Sequence, residues 1–278
     1  MQYLNKNYHT ITQHTPNNAY YPVAIPPDPL ERYGSGHLDL DVLGTFVSRL
    51  TLIQQMDFVR RVLAITTAQC VAISSIVFFI VHICPLFEWL NDRWAWWIPV
   101  IPLSIISLLI MWQLYSQFFH LSLSTRTVLL SIYSACVSLV LANVIAKFMY
   151  EEGQSILIMT IFGLTCCILY TLQKRYPFSG AFPFVCSLGA ICLTSLWLRY
   201  IYEMDPIEIL LPITAASLIC IYIILELYYM MHNVTLEDYM LANLNLFIDI
   251  IYPIRFIHHF CELTDHLNMF PDVLYPGE

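Results

Sequence analysis

Seven apolar stretches of roughly twenty residues follow one another through the chain with short polar interruptions, and this succession constrains the fold more than any motif. They lie near residues 61–84, 95–116, 127–149, 155–173, 181–201, 207–231 and 239–260. At a helical rise of about 1.5 Å per residue, each crosses or nearly crosses a hydrocarbon layer about 30 Å thick. The expected class is therefore all-α: a polytopic membrane protein with about seven transmembrane helices in one bundle. Short connections make sequential helices antiparallel neighbours. Composition agrees, with 58% hydrophobic against 12% charged residues and a mean hydropathy of +0.65.

The flanks differ in kind. Residues 1–57 are polar and carry Pro16, Pro22, Pro26, Pro27 and Pro29, a composition that buries too little apolar surface to offset chain entropy. They are expected to form a disordered cytosolic tail ahead of a bundle over 58–262 and a short polar tail over 263–278. The Pro26, Pro27, Pro29 stretch is either a stiff linker or a polyproline docking segment. The tail is too long and polar for a signal peptide, so the first span is expected to direct its own insertion. With the tail inside, the inner segments hold Lys6, Arg32, Arg49, Arg60, Arg61, Arg126, Lys174 and Arg175, and the outer ones Arg93, Lys147 and Arg199. That bias favours a cytosolic amino terminus. Trp94, Trp96 and Trp97 read as an interfacial belt.

Several functions lose support. Only 12 Lys and Arg stand against 20 Asp and Glu, so no basic surface exists to neutralise a nucleic-acid backbone. The nine cysteines form no CxxC pair and read as small core residues, as at Cys70, Cys136, Cys166, Cys167, Cys186, Cys192 and Cys220. His258, His259, Cys261 and His266 have ligand chemistry but no familiar zinc spacing. HExxH, GxSxG and phosphate-loop motifs are absent, so an enzyme with a bound cofactor is not expected. Gly153, Gly163 and Gly189 make no GxxxG motif.

Two carboxylates stand out because they lie inside apolar spans: Glu226 in the sixth and Asp249 in the seventh. An acid at mid-bilayer costs about 2.5–3.5 kcal/mol on insertion scales, which calls for a partner or a water-filled cavity. A protonated acid that only joins helices would satisfy the same constraint. Thr235 and Asp238 read as a cap with its reciprocal partner, making the two spans a hairpin whose turn is His232 to Val234. Counted from that turn, Asp249 lies about 10 Å deeper than Glu226, so contact requires tilt or offset. Pro253 cannot donate to the Asp249 carbonyl, and Asn245 sits one turn before Asp249 on the same face. These oxygens could coordinate a hard cation such as calcium at Asp249 and Glu226; an ordinary proline kink is the alternative.

The segment 236–251, LEDYMLANLNLFIDII, resembles the last-span signature of Bax-inhibitor proteins, the transmembrane Bax inhibitor motif or Lifeguard group, which reads approximately A-L-N-L-Y-L-D-I-I-N after an acidic pair and tyrosine. The segments 58–62 and 172–178 resemble that family's first-span opening and fourth-span close. The likeness covers about residues 50 to 262. It departs at Tyr252, at Ala135 to Ser138, where the family often has an acid, and in a second span without a basic residue. The resemblance implies a pH-sensitive calcium leak channel of the endoplasmic reticulum, Golgi or plasma membrane that restrains cell death. In the family, paired aspartates share a proton; Asp249 matches the second and Glu226 replaces the first. Calcium would be the permeant ion, and partners would be the lipid bilayer and cell-death regulatory membrane proteins. The alternative is a non-conducting membrane protein that binds cell-death or trafficking partners.

Overall fold

The computed structural model describes residues 47–82, 97–173, 175–178, 181–231 and 234–251. Among the described residues, seven α-helices run in chain order: α1 Leu52–His82, α2 Trp97–Gln117, α3 Leu123–Phe148, α4 Tyr150–Tyr170, α5 Phe182–Ile201, α6 Leu210–Met231 and α7 Tyr239–Ile251. Six of them, α1 to α6, are long and apolar enough to cross a membrane. Among the described residues there is no β-strand. The protein is thus an all-helical, multi-pass membrane bundle, as its apolar runs require. Helices suit such runs because lipid offers backbone groups no hydrogen-bond partner, and each helix satisfies its own.

Helices α2 to α6 follow the sequence expectation to within about five residues, and the last run, expected over 239–260, is described as far as Ile251. The first helix begins at Leu52, well before the apolar run near 61, because its opening turns are amphipathic rather than lipid-facing. Met56, Phe58, Val59, Val62 and Leu63 are buried while Arg61 stays exposed. Asp57 is bracketed by Arg60 at 2.5 Å and Arg61 at 2.6 Å, which keeps these charges solvated at the helix entrance. Ser122 caps α3, its hydroxyl accepting from the Thr125 N–H at 3.3 Å. A single residue, Met149, separates α3 from α4. The side chains of Thr235 and Asp238 bond to each other at 2.7 Å. Thr235 makes no side-chain cap on a backbone N–H, and it precedes a 3-10 turn, Leu236–Asp238.

Two ends of the bundle are defined by contacts. At one, the Val47 N–H donates to the Val234 carbonyl at 3.1 Å, and the Arg61 guanidinium lies 5.7 Å from the Tyr239 ring centre. At the other, Tyr150 Oη and His82 Nε2 are 3.1 Å apart, and Tyr150 stands edge-on to Tyr202. Helix α1 packs on α3, α4 and α7, and α4 on α5 and α6. Of the apolar window in α6, 50% is buried; in α2 the share is 11%, so α2 lies at the periphery. Lipid-facing side chains include Leu109, Trp112, Leu193, Leu196 and Trp197, all exposed. Trp97 is exposed at the start of α2, as the belt reading expects; Trp94 and Trp96 lie outside the described residues.

The innermost helix is α7. Every residue from Met240 to Asp249 is buried, the environment of a helix surrounded by protein. Cys70, Cys167 and Cys220 are buried, Cys136, Cys166 and Cys186 are intermediate and Cys192 is exposed, so only some of the cysteines are core residues.

Gly163 matters despite the absence of a GxxxG motif. A Cβ there would lie 2.9 Å from Cys220 Sγ and 3.0 Å from Ser187 Oγ, so only glycine lets α4 approach α5 and α6 this closely. Gly163→Ala is expected to destabilise the protein by about 1–3 kcal/mol through overpacking. Gly189→Ala, whose Cβ meets nothing within 4 Å, is expected to be neutral. Thermal unfolding in detergent measures both; equal unfolding temperatures would contradict the close approach.

Candidate functional site

A helix buried on all sides presents its polar side chains to protein rather than water, and α7 carries three of them: Asn243, Asn245 and Asp249. At 100° per residue, Asn245 and Asp249 share a face and Asn243 points to the other side. Asp249 is fully buried. The Tyr222 hydroxyl of α6 donates to its Oδ2 at 2.5 Å. One turn earlier, the Tyr115 hydroxyl of α2 donates to Asn245 Oδ1. Two phenols from two helices therefore cover the polar face of α7.

Glu226 is also buried, on α6. It lies four residues after Tyr222, hence on the same face and about 6 Å nearer the α6–α7 turn. Asp249 thus stands level with Tyr222, while Glu226 sits one turn away. The offset has the sense counted from the sequence but is about 6 Å rather than 10 Å, and the hydroxyl bonded to Asp249 is that of Tyr222, a partner the sequence reading did not name. A tyrosine in an apolar span looks like any aromatic; the signal was its spacing of four from Glu226. Pro253 lies outside the described residues, as do His258, His259, Cys261 and His266.

On the opposite face, Asn243 meets α1. Its Nδ2 donates to Thr66 Oγ1 at 2.9 Å and to Gln69 Oε1 at 3.1 Å. Gln69 Nε2 donates back to Asn243 Oδ1 at 3.2 Å and to Ser134 Oγ of α3 at 2.8 Å. This network was also missed, although an uncharged amide in the middle of each span was visible.

Tyr222 holds one carboxylate oxygen of Asp249 and Tyr115 holds the amide oxygen of Asn245, so a cation such as calcium, which takes six to eight oxygens, competes with phenols for those two atoms. Among the described residues, no group of three or more His, Cys, Asp or Glu side chains could hold a metal ion.

The sequence profile of the family described as "Inhibitor of apoptosis-promoting Bax1" matches residues 55–265, which contain Glu226, Asn245 and Asp249. The chain belongs to this family. Among its relatives is Bax inhibitor 1 of Schizosaccharomyces pombe, 25% identical over 217 residues, covering 77% of each chain. Protein lifeguard 4 of Mus musculus is 27% identical over 213 residues, 75% of this chain and 85% of the mouse protein. The Golgi anti-apoptotic protein of Vaccinia virus strain Lister is 26% identical over 145 residues, 48% of this chain and 58% of the viral one. No solved structure matches the chain. Membership of the Bax-inhibitor family agrees with the resemblance carried by the segment 236–251.

Because the Tyr222 hydroxyl donates to a fully buried carboxylate oxygen, Tyr222→Phe is expected to lower the unfolding temperature in detergent, whereas Tyr200→Phe, at an exposed side chain, is expected to leave it unchanged. Equal unfolding temperatures for the two variants would mean that the Tyr222 bond does not contribute to holding α6 against α7.

Proposed function

We propose that this protein is a pH-sensitive calcium leak pathway of an endomembrane that restrains cell death. The observation that carries this reading is Asp249: a carboxylate fully buried on the central helix of a membrane bundle, bonded to a hydroxyl of a second span. Such a group is costly in the bilayer and marks an ion or proton pathway. Family membership supports the cell-death role, and a viral relative named a Golgi anti-apoptotic protein supports an endomembrane location.

In the proposed mechanism, Tyr222 and Tyr115 close the polar face of α7 in the resting bundle. An entering calcium ion takes the place of the phenol proton on Asp249 Oδ2, and the Tyr222 hydroxyl swings its lone pairs toward the ion. Asn245 Oδ1 offers the next oxygen one turn along, and Glu226 a second carboxylate one turn away on α6. Protonation of Asp249 removes the charge that draws the ion, so flux falls at low pH.

Calcium flux into liposomes carrying purified protein tests the reading. Asp249→Asn keeps shape and hydrogen bonding but not charge, and is expected to cut flux at least about tenfold, a loss of about 1.4 kcal/mol in barrier terms, and to flatten its pH dependence. Glu226→Gln is expected to retain most of the flux with a shifted midpoint. Parental flux in Asp249→Asn at every pH contradicts the mechanism, and a parent that passes no calcium favours a non-conducting, partner-binding role.

A further inference from the structure

The amide network on the far face of α7 has a property the carboxylate face lacks: no member of it titrates. Asn243 and Gln69 form a reciprocal pair, each donating to the other's carbonyl oxygen at 3.1–3.2 Å. The second donor of each amide is also used, on Thr66 Oγ1 and on Ser134 Oγ. Those two hydroxyls pass their own protons to the helix carbonyls of Val62 and Leu130. Every N–H and O–H in the set is therefore satisfied, across three helices, with Asn243 and Thr66 fully buried. A satisfied network of this kind, in surroundings without water, fixes one arrangement, because any slip of α7 along its axis leaves amides unpaired. One residue of slip moves a side chain by about 1.5 Å along the helix and by 100° around it, enough to separate a hydroxyl from a carboxylate.

Asp249 lies six residues beyond Asn243 on the same rigid helix. Its meeting with Tyr222 depends on where α7 is held, and α7 is held on this face by α1 and α3. We propose that Asn243 and Gln69 are positioning residues: an uncharged clamp that fixes the register of α7 against α1 and α3 and thereby sets the height at which Asp249 meets Tyr222. The clamp keeps its grip at any pH, so the response to protons is confined to the opposite face. This inference deepens the proposed function, yet its decisive readout needs no ion flux.

The readout is the phenolic C–O infrared band of Tyr222, assigned by its loss in Tyr222→Phe, which reports whether the hydroxyl donates to a carboxylate. In Asn243→Leu the band is expected to move to the position it has in Asp249→Ala, where the acceptor is gone. Thr66→Val, which keeps side-chain shape and removes one acceptor, is expected to move part of the band the same way and serves if the leucine variant fails to fold. The exchanged pair Gln69→Asn with Asn243→Gln restores a reciprocal amide contact and is expected to return the band toward its parental position. A Tyr222 band unmoved in every folded single variant, with only the unfolding temperature lowered, would make the network a structural contact and overturn the proposal. A parent that passes no calcium while the band shifts as described would remove the leak reading and leave the clamp standing.

Discussion

Neither water nor lipid reaches the polar side chains of α7, so the bundle must satisfy them itself, and the rest of the structure is arranged around that requirement. A buried amide or carboxylate without a partner costs a few kcal/mol, more than a single apolar contact returns. Three spans supply partners: α1 through Thr66 and Gln69, α2 through Tyr115, and α6 through Tyr222. Association of apolar helices in lipid has little hydrophobic drive of its own, which leaves small-residue packing and hydrogen bonds to specify the neighbours. Both are present, the first at Gly163 between α4, α5 and α6, the second around α7.

Charge follows the same logic at the ends. Arg60, Arg61, Arg126 and Arg175 lie at the end of the bundle that contains the α6–α7 turn; Glu151, Glu152, Glu203, Asp205 and Glu208 lie at the opposite end with Lys147 and Arg199. Arg126 is largely buried, yet its Nε donates to the Leu121 carbonyl at 3.1 Å and its guanidinium lies 4.3 Å from the centre of the Phe118 ring. The arginine stem covers apolar surface while its head finds local acceptors, as long cationic side chains do at a membrane boundary. Glu151 and Glu152 stand in the first turn of α4, where the helix dipole favours acids.

Much of this was legible in the sequence because membrane insertion leaves few choices. Length and apolarity set the helices, and an acid in an apolar run singled out Asp249 and Glu226, both of which are buried. What stayed hidden were the partners. Tyr222, Tyr115 and Gln69 read as ordinary span residues, since a hydrogen bond between helices, whether its partners are 27 or 174 residues apart, depends on how the helices rotate and tilt, which no local pattern encodes. Gly163 was hidden for the same reason: its importance lies in Cys220 and Ser187, on two other helices. The start of α1 at Leu52 escaped because hydropathy finds lipid-facing residues, whereas the first turns of that helix are held by amphipathic packing.

The central claim is that α7, with its carboxylate, is enclosed by protein and does not touch lipid. Carbene labelling from a photoactivatable lipid analogue, mapped by mass spectrometry on the protein in bilayers, tests this most directly. The account requires label on the outward residues of α2 and α5, such as Leu109, Trp112, Leu193 and Trp197, and none from Met240 to Asp249. Label on α7 at the level found on α5 would contradict it.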